Sequence, residues 1–156
     1  MTEALRDRHP ELRQLFLEHR NVRAHNLGFR DGDQQDGLLL FAEAALVCLV
    51  LERFLRVILA PDVSDNDTLY NLLQRAVAKR QLRLPWSDSN EGTQRIKTVR
   101  NTMLHGNFEQ AAAECGCTVS EYFRNQFAAE TEQLFELLEH VVKQFDPVTG
   151  RTRQGQ

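Results

Sequence analysis

The chain has 156 residues, 42% of them hydrophobic and 26% charged, with a formal net charge of −3 at pH 7. That length suits one domain around one core, and with only 4 Pro, 8 Gly and no low-complexity tract the composition excludes a disordered or fibrous protein. The longest apolar run, Leu38 to Leu51, is interrupted by Glu43 and stopped by Glu52 and Arg53, short of the roughly 20 apolar residues a membrane span requires, so no membrane partner is expected.

No secretory signal is read at the N-terminus, where Glu3, Arg6, Asp7 and Arg8 leave no apolar stretch. Together with three cysteines, an odd number, this gives a reducing cytoplasm as the expected location. Apolar residues then recur at spacings of three and four through five segments, and no strand alternation of useful length appears, so the class is all-α. The first helix spans about Pro10 to Val22, with Pro at its start and Leu12, Leu15 and Phe16 on one side. Asn26 to Gly37, with three Gly and three Asp, reads as a loop. The second helix, about Leu38 to Leu59, is apolar nearly all round and ends before Pro61. Covering it on every side is easier with a second copy of the chain, which points to a homodimer.

The polar run Ser64 to Asp67 offers an N-cap to a third helix, about Thr68 to Leu82, with Leu69, Leu72, Leu73, Ala76 and Val77 inward. Pro85 and Trp86 to Asn90 form a loop, and a fourth helix from near Glu91 to at least His105 carries Ile96, Val99 and Met103. Thr118 and Glu121 fit a capping box for the last helix, which continues to about Phe145 on a stripe of Phe123, Phe127, Leu134, Leu138, Val141 and Phe145. The expected architecture is an up-and-down bundle of four to five helices over residues 1–146, followed by a flexible tail, 147–156.

Chemistry concentrates in Val99-Arg100-Asn101-Thr102-Met103-Leu104-His105-Gly106. At 3.6 residues per turn Asn101 and His105 stack as an i, i+4 pair, and Arg100 lies about 100° round the helix, within reach through its long side chain. The set suits RNA phosphodiester cleavage without a metal. Imidazole moves a proton near neutral pH, guanidinium clamps the phosphate and gains as charge builds in the transition state, and the amide orients the scissile group. Glu52, paired at i, i+4 with Arg56, could orient the site; the same pair is also an ordinary surface salt bridge worth under about 1 kcal/mol.

From Leu38 to Phe145, in the order of helices, the Leu69-x2-Leu72-Leu73 segment and the Arg100-Asn101-x3-His105-Gly106 core, the chain resembles the HEPN family, helical bundles that carry R-x4-6-H with a polar residue after the Arg. The resemblance implies a homodimer whose two motifs share a cleft. In active members it implies an endoribonuclease that uses the ribose 2′-OH, with no cofactor and no metal site. It also brings expected partners: RNA and, for a toxin of a toxin-antitoxin or defence system, an antitoxin or small nucleotidyltransferase. Other members bind nucleotide, RNA or protein without cleaving, which is the alternative reading. Some of the toxins have a Tyr two residues after the His, which the partner enzyme modifies with AMP; this chain has Asn107 there, so that route of regulation is not expected.

Bare R-x4-H is a weak signal, with about 0.5 chance matches in a chain of this composition. Arg20-Asn21-Val22-Arg23-Ala24-His25 also matches. The later motif is preferred because it follows two or more helices, ends in His-Gly, and lies in residues 75 to 105, where seven basic residues face two acidic ones. Lys79, Arg80, Arg83, Arg95 and Lys97 from that stretch are the candidate RNA-binding residues. The same charges fit a solvated helix face, and His105 fits a C-terminal His helping to satisfy last-turn carbonyls. Cys115 and Cys117 supply only half of a tetrahedral zinc site and read as structural. His9, His19 and His140 are assigned no role.

Overall fold

The computed structural model describes residues 9–29, 37–86 and 89–145, and among them there is no β-strand. Five helices follow one another: α1 (Pro10–Phe29), α2 (Gly37–Leu59), α3 (Leu69–Arg80), α4 (Ser89–His105) and α5 (Phe108–Glu114). A short α6 (Val119–Glu121) then runs through a π-helical stretch (Tyr122–Phe127) into α7 (Ala128–Gln144). The all-α bundle expected from the periodicity is what forms, with α5 added to the expected helices.

At its centre is α2, where Val47, Val50, Leu51, Phe54, Leu55 and Leu59 have no exposed surface. It packs against α1, α3 and α7. Much of its coverage therefore comes from within the chain, while Leu49 stays 48% exposed. Glu43, the charge inside the apolar run, is buried with it.

The first helix is longer than its apolar pattern suggests. It continues through the segment read as a loop because Asn26 is buried there, its amide donating to the Leu39 carbonyl at 3.0 Å and to Glu43 Oε2 at 2.7 Å. The rest of that expected loop, residues 30–36, and the expected tail, 147–156, lie outside the described residues. The third helix is capped by Thr68 itself, whose hydroxyl accepts from the Asn71 amide, and it stops at Gln81 in the left-handed region at φ 56°. Ser64 to Asp67, expected to supply the cap, forms its own turn instead, the Ser64 amide donating to Asp67 Oδ2 at 2.7 Å.

No apolar stripe announces α5; Ala111, Ala112 and Ala113 give it propensity, and Phe108 anchors it against Phe123 at 4.6 Å and Phe127 at 5.8 Å. The Thr118–Glu121 capping box forms as expected. Two contacts fix the approach to α4. Gln144 on α7 accepts from the Arg83 amide at 2.8 Å and donates to the Arg83 carbonyl at 2.7 Å. Trp86 then lies against Gly92, where a Cβ would run into the indole ring.

Candidate functional site

Helix α4 turns Thr93, Ile96 and Met103 into the core and leaves Asn101 and His105 exposed. Arg100, between these faces, retains 26% of its side-chain exposure, and its Nη2 lies 3.8 Å from Glu52 Oε2 on α2. The other Glu52 oxygen is 3.5 Å from Arg56 Nη2, so one carboxylate sits between two guanidinium groups. Arg56 is itself fixed, donating to the Ser64 carbonyl at 2.9 Å and the Asp67 carbonyl at 2.8 Å. One turn before Glu52, burial pushes the Cys48 thiol up to about 12 against the opposing pull of Arg100, which leaves it protonated and unreactive.

Of the residues named from sequence, the fold thus joins Glu52 to Arg100 across two helices. Among the described residues it gives neither Asn101 nor His105 a side-chain partner. His105 closes α4, and Gly106 follows at φ 65°, a conformation that favours glycine. Two hollows flank the motif. One, of about 260 Å³, is lined by Leu49, Glu52, Arg53, Arg56 and Asp65; the other, of about 600 Å³, lies beyond His105 and is lined by Gly106 to Gln110 with Val119 and Phe123.

No protein-family model, no curated protein and no solved structure matches this chain.

The basic stretch is less bare than its sequence suggests, because Asp62 and Asp67 lie just outside the 75–105 window. Asp67 takes both prongs of Arg75 at 2.6 and 3.0 Å, which holds its carboxyl below the usual range, and Asp62 pairs with Lys79 at 3.6 Å. Arg80 donates to the Ile58 carbonyl at 3.2 Å, and Lys97 lies over the Tyr70 ring at 5.4 Å. The exposed Arg83 and Arg95 complete the five candidate RNA-binding residues.

The competing Arg20–His25 motif falls on α1, with Arg20 and His25 exposed, and the residue between them that matters is Arg23. Its guanidinium bonds to Glu43 at 2.9 Å and to both oxygens of Glu132 at 2.8 and 3.1 Å, with its carbon 3.6 Å from the Phe135 ring centroid. His19, one turn earlier, is buried against Phe135 at 5.6 Å. Burial lowers its pKa, helped by Arg23 and opposed by Glu43, and its Nε2 has no hydrogen-bond partner among the described residues. Sequence reasoning passed over this cluster; a Glu inside an apolar run was the signal, since a buried carboxylate requires a partner.

Among the described residues no group of three or more His, Cys, Asp or Glu could hold a metal ion. Cys115 is exposed and unpaired, while the half-buried Cys117 thiol is pushed up by burial and faces the Ala112 carbonyl at 3.7 Å.

Proposed function

We propose that the chain is a HEPN-like, metal-independent endoribonuclease acting as a cytoplasmic homodimer, with Arg100, Asn101 and His105 as its site. The observation that carries this reading is the Glu52–Arg100 pair, which steadies a guanidinium beside a helix end that presents an amide and an imidazole to solvent. With one donor edge toward Glu52, the rest of the Arg100 fork is left for phosphate oxygens. His105 takes the proton of a ribose 2′-OH, the 2′ oxygen bonds to phosphorus, and the P–O5′ bond breaks as the 5′ oxygen gains a proton. A 2′,3′-cyclic phosphate and a 5′-OH remain. Base and acid are both required in that step, and the second copy's motif supplies the other imidazole. Within this reading an antitoxin or nucleotidyltransferase partner restrains the activity.

A second reading has one observation in its favour: nothing among the described residues orients the His105 imidazole, as a general base usually requires. On that reading the chain binds RNA, nucleotide or a partner without cleaving. Incubation with RNA in EDTA separates the two. The nuclease cleaves, His105→Ala lowers the rate by about 10²- to 10⁴-fold with the helical CD signal intact, and His25→Ala is nearly silent. Binding without cleavage favours the module, and loss of activity in His25→Ala but not His105→Ala moves the site to the other motif.

A further inference from the structure

A groove of about 700 Å³ runs between α1 and α7, on elements that contribute nothing to the Arg100 motif. Its volume lies within the range of sites for small ligands. Phe16, Leu138 and Val142 give it an apolar wall, and Leu17, which also lines it, keeps 41% of its surface in water. Its charges are unbalanced. Arg13, Arg20 and Lys143 line it with a single acid, Glu139, while the fourth cation, Arg23, is held by Glu43 and Glu132. No carboxylate among the described residues pairs with Arg13, Arg20 or Lys143. In a chain of net charge −3, this local excess of cations draws an anionic group, and a ligand body laid over Leu17 takes apolar surface out of water.

The lining also narrows the shape of the occupant. Phe135 is already engaged, by the Arg23 guanidinium at 3.6 Å and by His19 at 5.6 Å, which leaves Phe16 as the other ring of the lining. The remaining apolar lining is Phe16 with the aliphatic Leu17, Leu138 and Val142. His19 adds an imidazole nitrogen, Nε2, buried without a partner among the described residues. From the groove's mainly aliphatic wall and its unpaired cations, we infer that it binds a small amphiphilic anion, an aliphatic body carrying one carboxylate or phosphate head. The head pairs with Arg20 and its neighbours, and the body dries Leu17 and Val142. This site is independent of the proposed nuclease reading.

Calorimetric titration of the full chain with decanoate, decyl phosphate, decanol and AMP tests it. Decanoate or decyl phosphate binds one per chain with Kd on the order of 10 to 100 μM, the tighter of the two naming the head group, and decanol and AMP bind at least about tenfold more weakly. Arg20→Glu and Leu17→Glu, both at exposed positions, each weaken binding about tenfold without changing the CD signal, whereas Arg100→Ala leaves it unaltered. The inference fails if neither anion binds by about 1 mM, if decanol or AMP binds as well as the anions, or if Arg20→Glu and Leu17→Glu bind like the parent chain.

Discussion

Glu43 has none of its surface exposed, and both of its oxygens are in use, one by Arg23 and the other by Asn26. Glu43→Ala leaves the Asn26 amide short of a partner and Arg23 with Glu132 alone, so it should destabilise the fold by about 3–5 kcal/mol, read as a shift of the urea midpoint. A change under about 1 kcal/mol would mean the network is plastic. His19 makes a prediction in pH. Its folded pKa is depressed, so below about 6.5 the unfolded chain takes up a proton that the folded chain refuses, and stability falls with pH until the folded pKa is reached. The slope from this one group is at most about 1.4 kcal/mol per pH unit. Thermal unfolding between pH 7.5 and 5.5 should show the loss, and His19→Phe should flatten it; an equal slope in the variant would assign the effect to other groups. Glu43 was marked in the sequence only by its place inside an apolar run and His19 not at all, because burial of a polar group depends on which helices meet. Arg100 and Glu52 could be named individually from motif and spacing, while their contact at 3.8 Å depended on the α2–α4 packing.

Trp86 and Gly92 belong to the scale of the element, since their contact sets where α4 begins. Gly92→Ala drives a methyl group into the indole ring and should cost about 1–3 kcal/mol as α4 and its approach shift apart. Trp86 is the only tryptophan, so its emission reports the displacement directly, and an unchanged spectrum with unchanged stability would show that the ring simply moves aside. Thr68→Ala removes the α3 cap and should cost about 1 kcal/mol by the same denaturation assay. The elements with strong periodicity were legible almost to the residue, α2 and the capped start of the last helix above all. What periodicity could not supply was the extension of α1, which depends on the Asn26 side chain reaching Glu43, and α5, seven residues too short for an apolar face to repeat.

For the whole molecule, the proposed function demands two copies, although the burial of α2 does not. Sedimentation at micromolar concentration should give a dimer. Leu49→Arg, changing the exposed leucine that lines the hollow beside Glu52, should yield a folded monomer without nuclease activity; a parent chain that is itself monomeric removes the shared cleft. The fold class and most of the core could be read from apolar spacing, whereas the groove between α1 and α7 could not, because its walls come from opposite ends of the chain. The π-helical stretch joins two of these regions, the aromatic cluster over α5 and the helix that covers α2. Each i→i+5 hydrogen bond encloses one residue more than an α-turn does, so the stretch behaves as a stored insertion. Exchanging the exposed Arg124, Asn125 or Gln126 for another residue leaves the phase of the two halves alone. Losing one of them lets the stretch relax to an α-helix with its two halves still in phase, whereas gaining one turns Tyr122 and Phe123 by about 100° relative to Leu134 and Leu138. Lineages descended from this chain should therefore vary the letters of that stretch freely and, where its length changes, lose one residue rather than gain one.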